Sequence, residues 1–268
     1  VKDILVKALT SEWSSIDGLL VTLPPEEWAR PTCLPGWSVQ DVVSHIVGGE
    51  MGLTGEAPPV TTNDVKAFDH VHNDIGAINE YWVDWLRTEP PAQVLVRFRD
   101  ATARRAEALE SMSPADFDTP SWTPSGQDTY ARYMRIRLFD CWMHEQDIRY
   151  ALGRLGNEDG LCAEMSLDEI TAALGYVVGK RAGAPDGSSV TFRLTGPVER
   201  SIHVVVEGRA RVVDSLPGPA TTTLVLPSSL FARLCGGRTQ VADRLSEIQF
   251  EGDSELGSRV AHALPFTI

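Results

Sequence analysis

Asp140, His144 and Asp147 stand four and three residues apart in the run LFDCWMHEQDIRYALG (138–153). On a helix turning about 100° per residue, His144 lies about 40° to one side of Asp140 and Asp147 about 20° to the other, so the three share one stripe. A D-x3-H pair one turn apart lets two side chains grip a single divalent cation. Two ligands are too few. A third candidate is His45 in SVQDVVSHIVGG, at the edge of the Val39/Val42/Val43/Ile46 stripe of a second helical segment. Two imidazoles and one carboxylate leave a coordination position open for water or substrate, as a catalytic metal centre requires. The same residues also suit a core hydrogen-bonding network, and spacing alone does not separate the two readings. Asp147 either orients an imidazole from behind or pairs with Arg149 or Arg137.

Other candidates are weaker. Cys141 borders the stripe, either as a thiol near a metal or as a buried structural residue. His70 and His72 in DHVHND form an H-x-H pair next to a loop, the pattern of a surface rather than of a site. HEQD is not the metalloprotease helix motif, because position 148 is isoleucine. No GxSxG elbow, Walker loop or GxGxxG following a strand occurs, so α/β-hydrolase, P-loop and Rossmann chemistry lack their local signals.

Helices must position these residues. Residues 2–21 place Ile4, Leu5, Leu9, Trp13, Ile16 and Leu20 at helical spacing before PPEEW interrupts. A second helix starts at Ser38, with Asp41 in the capping-box position and Trp37 and Val42 placed for a hydrophobic staple. Residues 51–68 read as a loop, 70–87 and 91–112 as helices, and 113–127 as a Pro/Ser loop ahead of the helix bearing Asp140. Long helices joined in this way imply a bundle. After ALGRLGNEDG the composition changes: a helix at 166–183, strand-like runs at 190–195, 202–207, 210–214 and 221–226, a short helix in PSSLFARLCGG, a strand at 248–252 and a closing helix in SELGSRVAHAL. The expected fold is therefore a two-domain α+β chain: a helical bundle over 1–155 and a small α+β domain over 160–268.

Composition bounds the partners. A formal charge of −13 over 268 residues opposes binding to a phosphate backbone, so nucleic acid is not an expected partner. No apolar run has membrane-spanning length, the N-terminus lacks a signal-peptide pattern, and the four cysteines are too dispersed for a disulfide framework. A cytoplasmic protein is expected.

Three stretches carry a resemblance: WARPTCLPGWSVQDVVSHIVGGE (28–50), RLFDCWMHEQDIRYALGR (137–154) and, by pattern more than by residue, LFARLCGGR (230–238). Together they resemble the mycothiol-dependent maleylpyruvate isomerase-like proteins of actinobacteria, within the wider DinB-like metal-binding bundles. The resemblance implies a DinB-like four-helix bundle followed by a sterol-carrier-like domain. It also implies a divalent ion, zinc first and nickel as the alternative, on His45, Asp140 and His144, with Asp147 supporting the site. The family's characterised isomerase has glutamate where this chain has Asp140, a shorter arm that would pull the ion toward the helix or change its geometry. The cosubstrate implied is mycothiol, a thiol whose sulfur would attack a small electrophilic molecule in a cis-trans isomerisation or an S-transfer. Arg238 either holds an anionic substrate or cofactor or closes a helix end. Two other functions remain open: a metal-dependent hydrolase of the same fold, and a non-catalytic protein binding a small ligand or lipid.

Overall fold

The structure, a computed structural model, describes residues 1–267. Its chain divides into two compact units, the first ending at Asn157 and the second beginning at Glu158.

In the first unit the helices are α1 (Lys2–Leu20), α2 (Pro25–Trp28), α3 (Val39–Leu53), α4 (Asp74–Leu86), α5 (Pro91–Ser111) and α6 (Tyr130–Leu152). The expected capping box opens α3: Asp41 N–H donates to the Ser38 hydroxyl, and Ser38 N–H donates to Asp41 Oδ2 at 2.8 Å. The four long helices close a ring of contacts in which α1 packs on α5 and α6, and α3 packs on the same two. Leu5, Leu9 and Ile16 of α1, Val42, Val43 and Ile46 of α3, Phe98 of α5 and Met134 and Leu138 of α6 are buried within it. Helix α4 packs on the outside of α3, through Trp82. A Cβ at Gly48 would stand 2.3 Å from Trp82 Cγ, and one at Gly49 would stand 2.7 Å from Arg137 Cζ. The adjacent glycines of IVGGE thus admit one side chain from α4 and another from α6.

Two local expectations change. Helix α4 starts at Asp74 rather than 70, because the Asn73 side chain caps it by accepting from Gly76 N–H at 2.8 Å, which leaves His70 and His72 in the preceding loop. The segment 113–127 is not a plain loop. A capped 3-10 turn (Pro114–Asp118) leads into a hairpin of β1 (Pro120–Thr123) and β2 (Gly126–Thr129), closed by Pro124 and Ser125, after which Gly126 opens β2 at φ 110°. Helix α6 is buried on its polar side as well, where Arg137, Glu145, Gln146 and Asp147 are buried along with Leu138 and Trp142.

The second unit opens with α7 (Gly160–Tyr176), six residues earlier than expected, continued by a π-helical turn (Val177–Arg181). Strands β3 (Ser189–Thr195), β4 (Arg200–Glu207), β5 (Arg209–Val213), β6 (Thr222–Pro227) and β7 (Gln249–Gly252) form one sheet in the order β5-β4-β3-β6-β7. Only the β3/β6 pair is parallel. Helices α8 (Ser228–Cys235), α9 (Val241–Arg244) and α10 (Ser254–Ala263) complete the unit. Alternation buries Val190, Phe192 and Leu194 of β3 with Ile202, Val204, Leu224 and Leu226 of its neighbours, and Phe192 meets Phe231 of α8 at 5.4 Å. Gly175 of α7 and Gly179 of the π-helical turn let the two lie against β5, where a Cβ would come within 3.0 Å of Ala210 O and 2.7 Å of Ala210 Cβ respectively. The chain is thus an α+β protein with a helical unit followed by a sheet unit. Among the described residues no helix is long and apolar enough to cross a membrane.

Candidate metal centre

Helices α3 and α6 bring His45, Asp140 and His144 together, each offering one ligand atom within 4.8 Å of the others. His45 Nε2 lies 3.2 Å from Asp140 Oδ2, and His144 Nε2 lies 3.4 Å from Asp140 Oδ1. The two imidazoles meet edge to face with centroids 4.7 Å apart. Both are buried, whereas the Asp140 side chain is 33% exposed, so the cluster opens to solvent at its carboxylate.

The proton count at His144 bears on what this cluster can hold. Its Nδ1 lies 3.1 Å from Asp147 Oδ2, and Asp147 is buried. A carboxylate accepts, so the proton resides on Nδ1 and Nε2 turns a lone pair toward Asp140 Oδ1. Two acceptors facing each other require a cation between them, either a second proton on the ring or a metal ion. The electrostatics agree. Burial alone would depress His144, but Asp140 and Asp147 outweigh it and hold its pKa above the ordinary value. At His45 burial prevails over the attraction of Asp140 and the pKa falls. Burial works against ionisation of Asp140 as well, yet His45, His144 and Arg137 together keep it well below the usual carboxylate range. The separations fit an ion too. With bonds of about 2.0–2.1 Å, the edge of a tetrahedron is about 3.3 Å; the two N···O distances are of that size, one to each oxygen of Asp140, and one ligand atom from each of the three residues lies within 4.8 Å of the others. The donor set of two imidazoles and one carboxylate suits zinc and leaves one position for an exogenous ligand.

Behind the cluster Arg137 braces α6 to α3. Its Nη1 donates to Asp140 Oδ2, its Nε to Glu50 Oε1 at 2.7 Å and its Nη2 to Ile46 O at 3.0 Å. Arg105 of α5 pairs with the other oxygen of Glu50 at 3.6 Å. Neither Glu50 nor this use of Arg137 was evident from the sequence. The signal for Arg137 is its position three residues before Asp140 on the same stripe, whereas nothing local marks Glu50 except an acid within an apolar helix. Of the two sequence readings of Asp147, the structure supplies the contact to His144, and Arg149 instead pairs with Glu145 at 2.7 Å. His70 is engaged with buried Glu80 at 2.9 Å, and His72 is exposed. Arg238 belongs to the second unit, where its Nη1 donates to Gly236 O at 2.6 Å, at the C-terminal end of α8.

Cys141 takes the structural role. It is buried, its Sγ lies 3.7 Å from Glu50 Oε1, and burial pushes its pKa well up. Cys235 is shifted in the same direction by burial, and Cys162 is buried, whereas Cys33 is exposed. Iodoacetamide at about pH 8 is therefore expected to modify only Cys33 in the folded chain and all four cysteines in urea, as read by intact mass and peptide mapping. Modification of Cys141 in the folded chain would show that the α3–α6 seam opens.

Comparison with known proteins places this geometry in context. Residues 9–149 match the family profile described as the mycothiol maleylpyruvate isomerase N-terminal domain, and residues 164–259 match that of the corresponding C-terminal domain. Two uncharacterized proteins of Mycobacterium tuberculosis, from strains CDC 1551 / Oshkosh and ATCC 25618 / H37Rv, are each 27% identical over 152 residues, 55% of this chain and 56% of theirs. The chain thus spans little more than half the length of these curated relatives. Among solved structures, the mycothiol-dependent maleylpyruvate isomerase aligns with a TM-score of 0.62 at 15% identity, over 94% of this chain and 93% of its own. A histidine-to-alanine variant of that enzyme aligns equally, at 14% identity over the same shares of the two chains. At such identities the likeness is one of fold.

Proposed function

The chain belongs to the mycothiol maleylpyruvate isomerase family, and from that premise we propose that it is a divalent-metal-dependent enzyme that uses mycothiol to isomerise, or to transfer sulfur to, a small electrophilic molecule. The observation that carries this reading is the confrontation of His144 Nε2 with Asp140 Oδ1 while Asp147 occupies Nδ1. His45, Asp140 and His144 would hold the ion, with zinc favoured by the donor set. When bound, the ion supplies an open position at which a thiol ionises near neutral pH, and the thiolate is the nucleophile.

This chain's residues prepare that position. Asp147 keeps the His144 proton on Nδ1, so Nε2 faces the site as a base. Arg137 holds the short arm of Asp140 at Oδ2 and offsets part of the negative charge that Asp140, Asp147 and Glu50 place near the site. Exposure at Asp140 leaves the way in on the side of the carboxylate. In an isomerisation, sulfur adds to one alkene carbon of a conjugated cis substrate, and the C=C electron pair moves onto the adjacent carbonyl. The former double bond rotates, the pair returns, and the C–S bond breaks to release the thiol unchanged. In a transfer, the adduct instead takes up a proton and keeps the sulfur.

The test is turnover of conjugated cis-alkene acids by zinc-loaded protein with and without mycothiol. Activity is expected to require both zinc and thiol, and to fall at least about 100-fold when a chelator removes the ion. Turnover that persists without thiol would replace this reading with a hydrolase in which water takes the open position.

A further inference from the structure

The two imidazoles that face Asp140 are held by different means. Behind His144 Nδ1 stands Asp147, at 3.1 Å. Nothing corresponding stands behind His45: its Nδ1 is buried, and among the described residues no atom hydrogen-bonds to it. A metal-ligating imidazole is ordinarily fixed through its second nitrogen, so the orientation of His45 needs another source.

Trp37 supplies one. Its indole lies against the His45 ring, with centroids 5.3 Å apart and planes inclined by 36°, and it reaches the His144 ring at 6.1 Å. The indole is itself tethered. Its Nε1 donates to Glu80 Oε2 at 2.8 Å, and Glu80 is fully buried on α4. Arg87 Nη2 donates to the other Glu80 oxygen at 2.8 Å, and His70 Nε2 lies 2.9 Å from the oxygen that accepts from Trp37. The His70 ring lies close to Gly36, where a Cβ would come within 2.7 Å of its Nδ1, and Gly36 has a φ of 78°. Glycine at 36 therefore satisfies both a left-handed backbone and the approach of His70. At the other end of this loop Cys33 Sγ donates to Asp147 Oδ1 at 3.3 Å. One loop thus touches the supports of both imidazoles, and the H-x-H histidine that the sequence assigns to the surface is part of the anchor.

We infer that Trp37 is a positioning residue of the metal centre: tethered by Glu80, its indole fixes the ring of His45 as Asp147 fixes the ring of His144. This rests on the metal-centre reading proposed above. It predicts that loss of the indole damages ion binding itself, with no substrate present.

The experiment measures Co(II) affinity, by chelator competition, and the visible ligand-field spectrum of the Co(II) protein. It compares wild type with Trp37→Leu, Trp37→Phe, Glu80→Gln, Asp147→Ala and Trp85→Leu. Circular dichroism and melting identify the variants that fold. Trp37→Leu is expected to weaken Co(II) binding about tenfold or more and to shift the bands, as Asp147→Ala does, because outer partners of ligating histidines carry effects of about 10–100-fold. Trp37→Phe keeps a ring but loses the tether and should fall between; it carries the test if the leucine variant does not fold. Glu80→Gln retains an acceptor for the indole N–H and should stay near wild type. Trp85 packs on Arg97 at 4.6 Å, on the same helix as Glu80, and its leucine variant should bind as wild type does. A folded Trp37 variant with wild-type affinity and spectrum would overturn the inference alone, as would an equal loss in Trp85→Leu. Failure of wild-type protein to bind Co(II) would overturn the metal reading and this inference with it.

Discussion

Alanine in place of His45, Asp140 or His144 is expected to abolish metal retention. Protein purified without chelator or nickel affinity resin should carry close to one ion per chain by elemental analysis, and each of the three variants under about a tenth of that. The size of the effect follows from the geometry. Removing one of three donors leaves two, and two donors give no closed site. The variants differ in their consequences for folding. His144→Ala takes the imidazole from buried Asp147, which keeps its contact with Cys33 Sγ, so it should also lower stability by about 1 kcal/mol, the order of one lost hydrogen bond. His45→Ala strands no hydrogen bond at Nδ1, and its cost is that of a lost ring and of the Nε2 contact to Asp140, whose Oδ2 keeps Arg137. Asp140→Ala deprives Arg137 of one partner but leaves Glu50 and Ile46 O, so the brace between α3 and α6 survives. If all three variants kept the ion, the ligand assignment would be wrong. If wild-type protein took up no ion even after soaking in zinc, the cluster would be a protonated His–Asp network, a role for which the raised His144 pKa also suits it.

Asp140 and His144 were legible in the sequence because four residues is one helical turn, and His45 because it lies at the rim of an apolar stripe. The capping box of Ser38 and Asp41 was equally plain, since it is a local rule obeyed locally. The supports of the site were not. Glu50 reaches Arg137 only because Gly49 has no side chain in the way, and such a fit depends on how closely two helices approach. Trp37, Glu80 and His70 meet because two separate loops return to the same place on α4, which periodicity cannot foresee. In α6 the period separates apolar from polar residues correctly, but it does not distinguish a polar residue in water from one buried and paired. Arg137, Glu145 and Asp147 are of the second kind. The hairpin at 120–129 escaped because its strands are four residues each and carry Ser, Thr, Gln and Asp rather than an apolar alternation.

The other large effect concerns the brace behind the cluster. Arg137 is buried, and it links three acceptors on two helices. Arg137→Met should lower unfolding free energy by about 3 kcal/mol, the lower end of the range for breaking a buried pair, because Glu50 keeps Arg105 at 3.6 Å and Asp140 can be rehydrated at its exposed edge. Glu50→Met removes the carboxylate from both arginines and should cost at least as much. In the double variant Arg137→Met/Glu50→Met no charge of that pair is stranded, and methionine fills much of the volume, so the loss should fall short of the sum by about 2 kcal/mol. Arg105 loses its carboxylate in the double variant and in Glu50→Met alike, so that cost cancels in the cycle. Urea denaturation of the four proteins measures each term, and additivity within about 0.5 kcal/mol would show that the pair is not coupled. Metal binding then separates the two duties of Arg137. The double variant loses less than the sum of the single losses but lacks the guanidinium on Asp140 Oδ2, so its zinc affinity should lie about tenfold below wild type. Wild-type zinc affinity in the double variant would mean that Arg137 holds the helices together and leaves the position of Asp140 to the histidines.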